Sequence, residues 1–323
     1  MNSEVIFFVF VAFLCLEFVV ERVLDRLNMK AMSPVLPSRL QGIYDEKEYS
    51  RFVNYKREAG RLEWLESVVG FIVMLGFLCA GGFGWLNGWI VSWTDSVVWQ
   101  TLLFMGILSV ASGVLEMPFD WYATFRIEEK YGFNKTTWKT YVGDFLKGML
   151  LSALLGGLLL SAVVWFYEWA GPLFWLYAWI AVTVVSVFMS MFYSQLIVPL
   201  FNKQTPLEQG SLRDKIQAFA DKVGFRLDNI YVMDGSKRST KANAYFTGLG
   251  PKKRIVLYDT LIDELTEEEI VAVLAHEVGH YKRKHTVQFM LASVLQTGVM
   301  LWLFSLLVNE AVLSQALGGD RAY

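Results

Sequence analysis

Six long apolar segments constrain this chain more than any other feature. They run roughly over 5–20, 68–93, 97–117, 148–167, 173–200 and 286–308. At a helical rise of about 1.5 Å per residue the last five are long enough to cross a hydrocarbon core about 30 Å thick, and the first, at about 24 Å, comes close with a turn of flanking chain. Among 323 residues 54% are apolar, with 24 Phe and 12 Trp, a balance foreign to water-soluble domains. The expectation is a mainly α, polytopic membrane protein in direct contact with the lipid bilayer. The first segment has no basic lead-in and no small-residue cleavage site, so it reads as a retained anchor.

Orientation follows from the basic residues. Nine Lys/Arg lie between Arg22 and Arg61, five between Arg126 and Lys147, and fourteen between Lys203 and Lys284. The alternate connections 94–96 and 168–172 contain none, and only Arg321 falls on their side. The positive-inside rule then places the N-terminus outside and the three large loops in the cytoplasm. Tryptophans 85, 89, 93, 99, 165, 169, 175 and 179 cluster near the two short loops, as an interfacial belt does. A net charge of −2 gives no electrostatic footprint for nucleic acid. Cys15 and Cys79 sit in apolar runs and read as small buried hydrophobes, outside any disulfide or thiolate metal site.

Composition divides the chain into 1–200, with five spans and two large inner loops, a soluble-looking stretch 201–285, and 286–323, with the sixth span and an outer tail. Within 201–285, Leu212, Ile216, Phe219, Ala220 and Val223 recur at helical spacing, with Ser211 as N-cap and Gly224 closing the C-terminus. Strand-like runs follow at 229–234, 243–249 and 254–261, the last two joined by a Gly250-Pro251 turn. Thr266 and Glu269 form a capping-box pattern ahead of the next helix. The charged, aromatic inner loop 120–144 is expected to pack on a neighbour, and its Asn134-Lys135-Thr136 sequon to stay unused in the cytoplasm. Ser152, Gly156 and Gly157 offer a small-residue face for helix packing, and Glu17 and Glu116 are ionisable groups needing water or a partner within apolar spans.

The helix after Thr266 carries the chemistry. "VLAHEVGHYKRKH" contains all three histidines of the chain. His276 and His280 lie about 40° apart around a helix and can share one cation, with Glu277 beside them. This is the HExxH arrangement, in which two His bind Zn²⁺ and the Glu is the general base of a protease. His285 would lie about 180° from His276 on a continuous helix, which suits a polar residue near the membrane surface unless the helix breaks. Glu310 follows the sixth span and falls on the outer face. A third ligand is therefore expected after a seventh span, beyond Tyr323.

The long motifs "LPSRLQGIYDEKEYSRFVNYKREAGRLEWLES", "MPFDWYATFRIEEKYGFNKTTWKTYVGDFLKG" and "SKRSTKANAYFTGLGPKKRIVLYDTLI", together with "HEVGH", resemble the integral-membrane CAAX prenyl protease type 1 family. The resemblance implies a transmembrane helical barrel enclosing a chamber, with a small cytoplasmic α+β, gluzincin-like zinc domain. It implies one Zn²⁺, held by His276, His280 and a Glu beyond Tyr323, with Glu277 as catalytic base. Asn243, Ala244, Tyr245 and Phe246 match the family's substrate-binding edge strand, and His285 a histidine lining the active site. The implied partners are a peptide or prenylated CaaX-type protein. The implied membrane is the plasma membrane of a prokaryote or the endoplasmic reticulum of a eukaryote. On this reading the 323 residues are a truncated form expected to bind zinc weakly. Two other readings are an HtpX-type quality-control protease and a catalytically incomplete membrane scaffold.

Overall fold

The computed structural model describes residues 2–224, 230–247, 254–308 and 310–319. The chain divides into two compact units, Met1–Gly132 with Phe304–Tyr323, and Phe133–Leu303.

The first unit is built from α1 (Ser3–Ala31), α2 (Glu46–Cys79), α3 (Gly82–Val91), α4 (Val97–Tyr122) and the short α12 (Ala311–Ala316). Asn2 caps α1 and Asp45 caps α2, each side chain accepting amide bonds of the first turn. The segment read as one span over 68–93 is two helices. α2 stops at Cys79, Gly81 adopts φ +71°, and α3 starts afresh, because a glycine takes the left-handed conformation without steric cost. α4 carries Pro118 in its last turns and runs on as a π-helical stretch, Ala123–Glu128. A proline removes a backbone donor, and the wider turn absorbs the mismatch. α12 lies against α1, and a Cβ on Gly84 would strike the carbonyl of Gly318.

The second unit holds α5 (Trp138–Ala170), α6 (Phe174–Leu196), α7 (Val198–Phe201), β1 (Gln204–Pro206), α8 (Ser211–Lys222), β2 (Ile230–Met233), β3 (Ala244–Thr247), β4 (Arg254–Tyr258), α9 (Asp259–Glu264), α10 (Glu267–Lys282) and most of α11 (His285–Leu307). Among the described residues the strands form one sheet in the order β1-β2-β4-β3. β1 and β2 are antiparallel, β2 and β4 parallel, and β4 and β3 antiparallel, with Ala244 opposite Leu257 and Phe246 opposite Ile255. Ile216, Ile230, Ile255, Leu257, Leu261, Ile270 and Leu274 interlock under the sheet as its core.

Among the described residues, five helical stretches are long and apolar enough to cross a membrane: Ser3–Ala31, Glu46–Cys79, Val97–Glu128, Trp138–Phe201 and His285–Leu307. The fourth folds back near Gly171 into α5 and α6, so all six apolar segments of the sequence are helical. Large apolar side chains such as Phe8, Leu150 and Phe289 are exposed along them, as lipid contact requires.

Several expectations need correction. Ser211 is the first helical residue instead of the cap, and its hydroxyl donates to Glu267. Asp259 to Leu261, read as strand, begins α9. Cys79 is exposed, not buried, since it faces outward at the end of α2. A Cβ on Gly156 would meet nothing within 4 Å, so no helix among the described residues packs closely on that residue of the Ser152, Gly156 and Gly157 set. Trp179 does more than mark depth, since its indole donates to the Val294 carbonyl at 2.8 Å and joins α6 to α11. The Gly250-Pro251 turn lies outside the described residues.

The inner loop does pack. Phe133, Lys135 and Thr136 exchange hydrogen bonds with Arg238 and Thr240 at 2.9–3.2 Å, and Asn134 is buried.

Candidate metal centre

α10 owes its start to local bonding. Thr266 donates its amide and its hydroxyl to Glu269 Oε2, each at 2.8 Å, and the Glu269 amide donates back to Thr266 Oγ1 at 3.4 Å. The capping box read from the sequence is closed. These bonds, the Thr266 backbone N–H first, stabilise the anion and hold the Glu269 carboxyl below the usual glutamate range. Lys215 of α8 meets Glu267 at 2.7 Å and Glu268 at 2.6 Å, lowering both carboxyls and raising its own ammonium.

Ile270, Leu274 and Val278 are buried one turn apart and fix the face α10 turns to the core. At about 100° per residue, positions 276 and 280 then fall on roughly the opposite side. Both imidazoles are exposed, and Glu277, on the flank between the faces, is half-buried. The Nε2 atoms of His276 and His280 stand 3.1 Å apart, with ring centroids at 4.8 Å. Two imidazole lone pairs repel at that distance unless a proton or a cation lies between them. Two nitrogen ligands of one tetrahedral zinc, with bonds of about 2.05 Å, stand about 3.3 Å apart. The pair therefore fits two positions of such an ion. Among the described residues no group of three or more His, Cys, Asp or Glu forms a cage around it.

His285 arrives by a route the sequence does not signal. α10 ends at Lys282 and α11 begins at His285. Between them Lys284 takes φ +56°, the only positive φ among the described non-glycine residues. The helix breaks, and His285 turns back so that its Nδ1 lies 2.9 Å from Nδ1 of His280. It meets the far side of that ring, so it cannot share one cation with Nε2 of His276 and His280.

β3 is an edge strand of the sheet and lies against α10. The bond from the Tyr258 amide to the Asn243 carbonyl, 3.0 Å, sets the register of the antiparallel ladder. Hydrogen-bonded and non-bonded pairs alternate along such a ladder, so the peptide groups of Ala244 and Phe246 point away from β4. Asn243 is exposed and its Oδ1 accepts the Ala244 amide at 2.8 Å. Phe246 packs beside Val278, and Tyr245 meets Tyr258 edge to face at 6.3 Å. Burial pushes the Tyr245 phenol up, against the opposing pull of its bonds to Ser194 and Gln204.

Residues 25–203 match the family model described as CAAX prenyl protease N-terminal, five membrane helices, and residues 206–319 match Peptidase family M48. The crystal structure of S. mikatae Ste24p aligns with a TM-score of 0.89 at 33% identity, covering 98% of this chain and 74% of that one. CAAX prenyl protease 1 homolog of Arabidopsis thaliana is 33% identical over 321 residues, 96% of this chain and 75% of the relative. CAAX prenyl protease 1 of Saccharomyces cerevisiae is 36% identical over 291 residues, 87% of this chain and 64% of the relative. Fold and family together define a multi-pass membrane metalloprotease. More narrowly, the chain belongs to the CAAX prenyl protease 1 family.

Proposed function

We propose that this protein is a one-zinc endopeptidase that cleaves prenylated CaaX-type proteins near their C-termini, on the cytoplasmic face of its membrane. His276 and His280 hold the metal, and a third ligand, a Glu, comes from outside the described residues. A zinc ion held there supplies a Lewis acid beside the scissile carbonyl and lowers the pKa of water.

The chain's own groups do the rest. Glu277, next to the imidazole pair and half-buried, takes a proton from the attacking water and returns it to the leaving amine. β3 holds the peptide extended by adding it as a further strand along Ala244 and Phe246. Residues 201–285 form this catalytic region, and the excess of Lys and Arg in the three large loops supports its cytoplasmic side. The observation that carries the reading is the 3.1 Å imidazole pair on a helix packed against an open-sided sheet. The relatives named above are CAAX prenyl proteases, which supports the substrate class.

The test is release of the terminal tripeptide from a farnesylated CaaX peptide by parent and Glu277→Gln. Loss of a general base lowers turnover about 10²–10⁴-fold. Cleavage that survives the substitution overturns the mechanism, and equal cleavage of an unprenylated peptide overturns the substrate class.

A further inference from the structure

We infer that His285 is a positioning residue that acts through His280, fixing which nitrogen of that ring faces the metal. The inference rests on the metal reading above and goes beyond it, since it assigns His285 no contact with substrate.

Three observations carry it. His280 engages both of its nitrogens, Nε2 towards His276 at 3.1 Å and Nδ1 towards His285 at 2.9 Å. A neutral imidazole has one donor and one acceptor nitrogen. If Nε2 presents its lone pair to a cation, Nδ1 carries the proton and donates it to Nδ1 of His285. His285 in turn must keep its own proton on Nε2, and it is half-buried where His276 and His280 are exposed.

The second observation is the price at Lys284. A side chain at φ +56° is strained relative to right-handed backbone, because its Cβ crowds the following carbonyl oxygen. Lysine has no local hydrogen bond that favours this conformation, as Asn or Asp has. The strained residue sits immediately before His285, and without it the ring would point away from the pair.

The third is geometric. The rings of His280 and His285 cross at 75° with centroids 4.9 Å apart, so the contact is made edge-on by the nitrogens and is not a stack. A partner on the distal nitrogen fixes tautomer and ring orientation of a metal-bound imidazole and raises its basicity.

The experiment is metal affinity of the purified protein, by chelator competition with Zn²⁺ and by the visible spectrum of the Co²⁺-loaded form. The variants are His285→Phe, which keeps the ring and removes the acceptor, and His285→Asn, which restores an acceptor oxygen. His285→Phe is expected to weaken Zn²⁺ binding about 10–100-fold and shift the Co²⁺ bands, with His285→Asn recovering most of both. Affinity within twofold of the parent in His285→Phe overturns the inference. So does equal weakening in both variants, which would make the role one of shape. His276→Ala serves as the separate check on the metal reading. If it retains full affinity, the ion is elsewhere and both proposals fall; if it loses the metal while His285→Phe does not, only this one does.

Discussion

Arg238 grips Asp144 through two nitrogens, Nε at 2.7 Å and Nη2 at 2.9 Å, across 94 residues of sequence. The same guanidinium donates to the Asn202 side chain and the Phe201 carbonyl at 2.9 and 2.8 Å. One side chain thus ties the start of α5, the end of α7 and the loop before β3 into a single corner. The loop before β3 is the segment that delivers Asn243 to the sheet edge.

The planar fork of arginine is what makes this geometry, so lysine cannot replace it. Arg238→Lys is expected to lower unfolding stability by about 1.5–3 kcal/mol, the range for bonds to charged groups. Denaturant unfolding in detergent micelles measures it. An unchanged midpoint in Arg238→Lys would show the bidentate contact to be idle.

The outward-turned amide of Ala244 predicts a split between binding and folding. Ala244→Pro removes an N–H that donates to Asn243 Oδ1 and that β4 does not use, so the ladder survives, as proline is tolerated on sheet edges. Loss of one hydrogen bond, about 1–1.5 kcal/mol, raises KM for a peptide substrate roughly tenfold. Unfolding stability should fall by little more than the bond to Asn243 Oδ1 is worth, about 1–1.5 kcal/mol. A normal KM would remove the strand from substrate recognition.

Acid should loosen the α8–α10 contact. Glu267, Glu268 and Glu269 all titrate below the usual glutamate value in the folded state, through Lys215 for the first two and Thr266 for the third. A carboxyl lowered by folding contributes stability above its unfolded value of about 4.3 and loses it as pH falls through the lowered folded value. These groups are exposed, so the effect is modest and screened by salt. Hydrogen exchange of α10 amides between pH 6 and 3 reports it, and Lys215→Met together with Glu269→Gln should flatten the profile.

Orientation is open to direct labelling. Thr94→Cys is expected to react with an impermeant maleimide from outside intact cells, and Lys237→Cys only in inverted vesicles. Labelling of Lys237→Cys from outside would reverse the topology and with it the cytoplasmic site.

The capping box at Thr266, the helix bearing His276 and His280, and a strand after Asn243 could all be read from sequence, because each depends on residues close together in the chain, whereas the strand's edge position came only with the family resemblance. The six apolar segments were legible for the same reason. What escaped were features set by contacts at long range or by backbone strain. β1 escaped because Pro206 argues against a strand, yet an edge position tolerates it. Parallel pairing of β2 with β4 depends on α8 and α10 covering one face of the sheet, which no local pattern states. The break before His285 runs through Tyr-Lys-Arg-Lys, with neither Gly nor Pro to announce it, so the sequence leaves open whether the helix continues. Gly81, by contrast, stands in an Ala-Gly-Gly run at the end of α2, but hydropathy stays high across it and masks the break.

The joint at Lys284 has a practical meaning for anyone purifying the protein. α11 is docked on α6 by the Trp179 indole, and a Cβ on Gly298 would already press on that ring at 3.0 Å. An imidazole that touches His280 of α10 is therefore mounted on the first residue of a lipid-embedded rod. Solubilising agents that let this rod rock are expected to shift the contact between His285 and His280, so the choice of amphiphile belongs among the variables of every assay.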